Sequence, residues 1–375
     1  MKLESNATPA TATVTGSRKD RMRKRRKRNA FVRFVRRLFI ALCLIGTAAA
    51  VWAFFTPSGT QFRYLVADTL ITTQHRHWAK YVIGEEELKR RVEAYNHRFE
   101  EMGQEEDLHE IAPVPEVEHK ELVEIKPVSG NGYKGYLMIV NDPTKIRIVV
   151  PNRVGMGEKV SSMVSRTGAI AGVNAGGFAD PEWKGNGFKP IGLVIANGKI
   201  YYNGLGSKKK VQIVGIDRNG KMVAGNYTLD EMEEMGVKEA VSFSPRIIVN
   251  GKGLVKNADD GWGIAPRTVM GQREDGAIMF LVIDGRQTHS VGANLYDCQQ
   301  VMLDNGAVIA ANLDGGSSTV LVKDNEIVNS PASKYGERYL PTAFLVFDDP
   351  DAVDVPNIWE GLDPSKIDPG KKIKR

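Results

Sequence analysis

The feature that most constrains this chain is an uncharged, proline-free run of eighteen residues at 38–55, set directly behind a block of Lys and Arg at 18–37. As a helix such a run rises roughly 27 Å, close to the hydrocarbon thickness of a bilayer. An excess of Lys and Arg marks the cytoplasmic flank of a span. The run therefore reads as one transmembrane helix over 38–56 in the cell membrane, with a basic cytoplasmic tail at 1–37 and the C-terminal domain outside. The competing reading is a cleaved signal sequence, for which Ala48 and Ala50 offer a small-residue site. The anchor is preferred because the apolar run continues through Trp52, Phe54 and Phe55, which suit an interfacial aromatic belt, and because the basic region is long.

The formal charge of +6 is concentrated in that tail, where 13 Lys/Arg face only Glu4 and Asp20, so the remainder is mildly acidic. A basic tail is not a basic groove, which argues against nucleic acid as a ligand. Only Cys43 and Cys298 occur. With one in the span and one far downstream they form no intrachain disulfide, and Cys298 reads as a buried thiol.

Residues 1–17 have the composition of a disordered tail. Apolar positions at helical spacing over 62–83, and a charged helix over 85–102, read as a helical stalk at 60–103. His75, His77 and His97 suggest metal ligands, but a His-x-His pair on a helix splays its rings apart, so a packed or solvated face is preferred. An acidic stretch at 104–127 with Pro113, Pro115 and Pro127 reads as a linker. From about Val128 short β-rich runs alternate with turns such as Asn197-Gly198, Asn219-Gly220 and Asn250-Gly251, which are hairpin signals. Helices are expected at 159–165, 229–235 and 293–305, the last closed by Gly306. The fold class is α+β: a single mixed, mostly β domain over 128–350 with a few flanking helices, followed by a tail at 351–375.

Two polar loops follow apolar strands, DGRQTHSVG from Asp284 and NLDGGSST from Asn312. Asp-Gly is ordinary turn chemistry. Two such turns, flanked by Arg286, His289, Asn312, Ser317, Ser318 and Thr319, hold more polar groups than turns require. A further loop places Asn174 and Asp180 around Gly176-Gly177, whose backbone allows close approach to a ligand. Arg267, in a Pro-Arg-Thr segment, offers a rigid fork of donors for a phosphate.

Taken in order, the segments NAGGF, GNGxxPxGLVIxNGK, PRTxxG, IDGRQxxSxGxxL, GAxxAANLDGGSST and GERxLPTAF, spread over residues 174–344, resemble the phosphodiester glycosidase family, whose bacterial members are associated with exopolysaccharide. The resemblance implies hydrolysis of a sugar-1-phosphodiester in a sugar-phosphate or polysaccharide substrate. It implies Asp314 as the base that activates water, and Asp284 as a positioning group or acid. Arg267 and Arg286 would clamp the phosphate, assisted by backbone donors at Gly176-Gly177 and Gly315-Gly316. Asn174, Asn312, Ser317, Ser318 and Thr319 would hold sugar hydroxyls or phosphate oxygens, and Glu337 and Arg338 would complete the rim or pair with each other. His289 and Arg246 stand where the family commonly has other residue types and receive no catalytic role.

No cofactor is expected. A metal-dependent phosphodiesterase, with Asp284, Asp314 and Asn174 as oxygen ligands for Ca²⁺ or Mg²⁺, is an alternative, although no dense carboxylate cluster is present. The main alternative is a non-catalytic module that binds or assembles wall or exopolysaccharide glycans.

Overall fold

The computed structural model describes residues 18–73, 75–111, 121–181 and 184–370. The expected disordered tail at 1–17, Pro113 and Pro115 of the linker, and residues 371–375 lie outside the described residues. The chain divides into two compact units, the first ending at Arg63 and the second beginning at Tyr64.

In the first unit, α1 runs over Arg18–Phe55, and its part Arg25–Phe55 is long and apolar enough to cross a membrane by length and composition. The hydroxyl of Thr47 donates to the Cys43 carbonyl at 2.9 Å, so the run exposes no bare hydroxyl. The break expected at 56–59 is a cap and a restart. Thr56 Oγ1 accepts the Gly59 N–H at 3.1 Å, and Pro57 opens α2 (Pro57–Ile71), where a missing N–H costs nothing.

The segment expected as a stalk is helical, with α3 at Lys80–Ile83 and α4 at Glu85–Met102, but it lies against the domain. Beneath the charges of α4 runs an apolar stripe of Val92, Tyr95 and Phe99, which needs a partner. Tyr95 and Phe99 meet the ring of Trp262 edge-on, at centroid distances of 5.9 and 4.8 Å. Arg91 holds the buried Asp68 of α2 in a two-point ion pair at 2.8 and 2.6 Å.

The first part of the expected linker is also fastened down. Arg246, buried and with no carboxylate partner among the described residues, donates to Met102 O at 3.1 Å, Ala224 O at 2.9 Å and Glu105 O at 2.5 Å. Asn250 bonds Glu106 O and Leu108 N, and the His109 ring lies 3.3 Å from the Gln272 amide oxygen. Pro127, expected in the linker, stands in a strand at the sheet edge, where a proline removes no ladder bond that the sheet needs.

Seventeen strands follow: β1 (Val123–Gly130), β2 (Tyr133–Val140), β3 (Ile146–Val149), β4 (Ala171–Asn174), β5 (Leu193–Ala196), β6 (Lys199–Asn203), β7 (Val211–Asp217), β8 (Met222–Tyr227), β9 (Val237–Ser242), β10 (Arg246–Val249), β11 (Lys252–Gly253), β12 (Arg267–Arg273), β13 (Ile278–Ile283), β14 (Ala307–Asn312), β15 (Leu321–Lys323), β16 (Glu326–Ile327) and β17 (Ala343–Val346). They form a seven-stranded sheet in the order β1-β2-β13-β12-β14-β10-β11 and two five-stranded sheets, β16-β15-β4-β17-β3 and β6-β5-β9-β7-β8. The Asn-Gly turns at 197/198, 219/220 and 250/251 lie in hairpins, between β5 and β6, β7 and β8, and β10 and β11.

Three helices flank the sheets: α5 (Val160–Thr167), α6 (Leu229–Glu234) and α7 (Leu295–Asp304). The interior strand β13 is apolar at every position because both of its faces are covered. Phe280 and Val282 face the core shared with Phe344, while Met279, Leu281 and Ile283 face Leu295, Cys298 and Met302 of α7. Asn294 and Asp297 start α7 as a reciprocal capping box.

A buried pair ties two sheets together: Arg147 of β3 meets Glu239 of β9 at 2.8 Å, and Ile148 N and Asn197 N also donate to Glu239. Residues 351–370, expected as a tail, are folded on: Ile358, Trp359 and Ile367 are in the core, and Trp359 Nε1 donates to Phe188 O at 3.0 Å.

Candidate active site

Both Asp-Gly loops leave strands of the seven-stranded sheet, β13 and β14, that lie on either side of β12. They come together. Arg286 Nη1 donates to Ser317 Oγ across the gap at 3.3 Å, and the Asn329 amide reaches both Asp284 at 3.0 Å and Thr319 O at 3.4 Å.

The Asp284 carboxylate is consumed by its neighbours. One oxygen accepts Asn329 Nδ2 at 3.0 Å and Ser330 N at 2.9 Å, and the other lies 3.2 Å from His289 Nε2. Its carbonyl accepts Ser290 Oγ at 2.6 Å, and that hydroxyl also receives Lys134 N. Asp284 is therefore a buried brace, consistent with positioning rather than acid duty. Arg286, two residues on, has a left-handed backbone (φ 58°) that carries its side chain over the second loop. It has no carboxylate partner among the described residues, and burial lowers its pKa.

The second loop is held from beneath. Asp314 N donates to Ala175 O at 3.0 Å, Leu313 N to Thr268 O at 2.8 Å and Gly316 N to Pro266 O at 2.9 Å. Asn174 is the hub. It is fully buried, its Nδ2 donates to Asp314 O at 2.6 Å, and its Oδ1 accepts Thr268 Oγ1 at 2.9 Å and Val320 N at 3.0 Å. Gly316, at φ 64°, lies so close under Arg286 that a Cβ there would stand 3.3 Å from Nη2.

On this frame Asp314 is half-buried, and burial pushes its carboxyl up to about 6. A hydrogen bond from Ser318, the charge of Arg338 and the Gly315 N–H act in the opposite sense, while the charge of Asp180 adds to the rise. Arg338 pairs with Asp180 and lies 4.7 Å from the centre of the Phe178 ring. Asp314, Ser317, Ser318, Arg286 and the Arg338–Asp180 pair thus share one locality.

Other expected site residues serve the frame. Arg267 is buried, and its guanidinium donates to Ala293 O, Trp262 O and Gly263 O at 3.2, 2.9 and 2.8 Å, so it clamps a loop and not a phosphate. Asn174 is too fully engaged to bind a sugar. The Gly176 N–H is taken by Thr342 Oγ1 at 3.0 Å and the Gly316 N–H by Pro266, while a Cβ on Gly177 would meet the Phe243 ring at 3.1 Å. These glycines serve close packing. Asn312 Nδ2 donates to Ser244 O at 3.2 Å, and its buried Oδ1, like Thr319 Oγ1, has no hydrogen-bond partner among the described residues. Glu337 does not pair with Arg338. It accepts Ser161 N at 3.1 and 3.3 Å and caps α5.

The trio suggested for Ca²⁺ or Mg²⁺ does not assemble as a ligand set, since the oxygens of Asn174 and Asp284 already accept protein donors. Among the described residues no group of three His, Cys, Asp or Glu side chains is placed to hold a metal ion. A cavity of about 300 Å³ lies away from these loops, between α4 and the 254–262 loop.

Residues 167–347 match the profile of a family described as Phosphodiester glycosidase. Over 217 residues it is 27% identical to the SPbeta prophage-derived uncharacterized protein YomE of Bacillus subtilis (strain 168), covering 56% of this chain and 32% of that protein. Over 120 residues it is 29% identical to the Bos taurus N-acetylglucosamine-1-phosphodiester alpha-N-acetylglucosaminidase, covering 32% of this chain and 20% of the relative. The chain thus spans a third or less of the length of either. The fold is shared with the catalytic domain of the zebrafish enzyme of that name, auto-inhibited by its pro-peptide. That match has a TM-score of 0.53 at 20% identity and covers 64% of this chain and 88% of the zebrafish chain.

Proposed function

We propose that the domain hydrolyses a sugar-1-phosphodiester, with Asp314 as the base that activates water. The observation that carries this reading is geometric: Arg286, a guanidinium with no carboxylate partner among the described residues, reaches Ser317 Oγ on the loop that carries Asp314, whose carboxyl burial pushes up to about 6. A carboxyl tuned toward neutrality is ionised at pH 7 yet basic enough to take a proton from water. Arg286 Nη1 and Ser317 Oγ, 3.3 Å apart, suit the oxygens of a singly charged phosphodiester. Ser318 orients the Asp314 carboxyl, and the Arg338–Asp180 pair holds the adjoining wall. Attack at the anomeric carbon breaks the sugar C–O bond and expels a phosphate monoester, which needs little protonation to leave.

The same reading places the domain outside the cell membrane, tethered by α1 with the basic tail inside, and gives it a role in cell-surface polysaccharide. The apolar part of α1 and the Lys/Arg block ahead of it support this placement. The decisive assay incubates the full chain with a panel of nucleoside-diphosphate sugars and sugar-phosphate diesters in ¹⁸O water. Label in released sugar is expected. Label in phosphate would mean P–O cleavage, and no sugar release from any substrate would overturn the hydrolase.

A further inference from the structure

The turn between α2 and α4 plays no part in that site. Its core is the 3₁₀ turn Arg76–Ala79, followed directly by α3. Ala79 is fully buried in a cluster with Ala67 and Ile71, so the turn is pinned to the domain from within.

What it shows to the outside is aromatic and cationic. Trp78 is 50% exposed and Tyr81 77% exposed. His75 stacks on the Trp78 ring at a centroid distance of 4.6 Å, His77 meets its edge at 6.0 Å, and Lys80 Nζ lies 5.2 Å from the centre of the Tyr81 ring. Arg76, His77 and Lys80 are exposed, and residues 69–84 contain no Asp or Glu. Bare aromatic rings on a rigid turn mark a contact surface, and Trp and Tyr beside Lys and Arg have the chemistry of a lipid headgroup layer. The cations favour an anionic surface. The turn follows the last residue of α1 by about twenty residues, a length of chain that keeps it within reach of whatever surface α1 enters.

We propose that the turn at 75–81 rests in the headgroup layer of the anionic bilayer that holds the chain's own apolar helix, with Trp78 and Tyr81 inserted and Arg76 and Lys80 on lipid phosphates. This rests on the anchored reading given above, and it adds a second, reversible contact that fixes how the domain stands on the membrane.

The test uses the full chain in nanodiscs of phosphatidylcholine alone or mixed with phosphatidylglycerol. An environment-sensitive fluorophore is attached through His77→Cys in a Cys43→Ala background, since Cys298 is buried. In the anionic discs the emission is expected to shift to the blue, with quenching by headgroup spin-labelled lipid at least about twofold greater than in the neutral discs. Trp78→Ala with Tyr81→Ala removes both effects. Tyr81→Ala alone, at the more exposed ring, weakens both and serves if the double variant misfolds. Water-like emission in both discs overturns the proposal, as does a blue shift without lipid quenching, which would mean that a second copy or another protein covers the turn. Release of the chain from vesicles by alkaline carbonate would instead refute the anchor. A retained chain with an unquenched label refutes this contact alone.

Discussion

Two Asp-Gly turns, nearly identical in sequence, leave strands on either side of β12 and meet different fates. The Asp284 carboxylate is saturated by an amide, a backbone N–H and an imidazole, and holds the end of its strand together. The Asp314 carboxyl is held by little more than the Ser318 hydroxyl and the Gly315 N–H, and burial raises it to about 6. The lesson is that a buried carboxylate is ready for chemistry in proportion to the donors it has not already accepted. One turn braces and the other is poised.

The sharpest way to break this contrast is Asp314→Asn. It is expected to lower kcat by about a hundredfold or more while the urea midpoint stays near that of the wild type. In the wild type, a base whose carboxyl lies at about 6 is protonated and silent below that pH, so kcat/KM should rise tenfold per pH unit up to about 6 and then level. That inflection should vanish with Asp314 and survive the loss of Asp284.

Asp284→Ala should show the opposite pattern, losing about 2–4 kcal/mol of stability in urea titrations because buried donors are left unpaired. Its folded fraction should keep kcat within about tenfold. A hundredfold loss at full stability would return Asp284 to the chemistry. Arg286→Lys replaces the planar fork by a point charge, and about a tenfold rise in KM with little change in kcat is expected. The smallest effect belongs to His289→Gln, which retains a donor for Asp284 and should stay within about 0.5 kcal/mol and twofold in rate.

The strands and hairpins were legible in the sequence because apolar runs and Asn-Gly turns are local signals, and Gly306 (φ 85°) marks the end of α7 for the same reason. The docking of α4 was not. Its charges dominate its composition, while the stripe that contacts Trp262 is only three residues wide. Arg246 was equally opaque, since an arginine satisfied by three carbonyls leaves no acidic partner to find in the sequence. In the site, the DGGSS loop identified its own locality. The distinction between the aspartates depended on Asn329 and Ser330, some forty-five residues beyond Asp284, and no spacing rule points there.

The grip of Arg246 on Met102 O and Glu105 O fastens the end of α4 and the residues after it to the seven-stranded sheet. The segment at 102–105 therefore braces the sheet that carries the Asp314 loop, as a bracket holds a lamp. A version trimmed to begin near residue 120 would strip Arg246 of two of its three acceptors and uncover Trp262. It would be a lamp without its bracket, stable enough to assay only if the sheet tolerates that bare guanidinium.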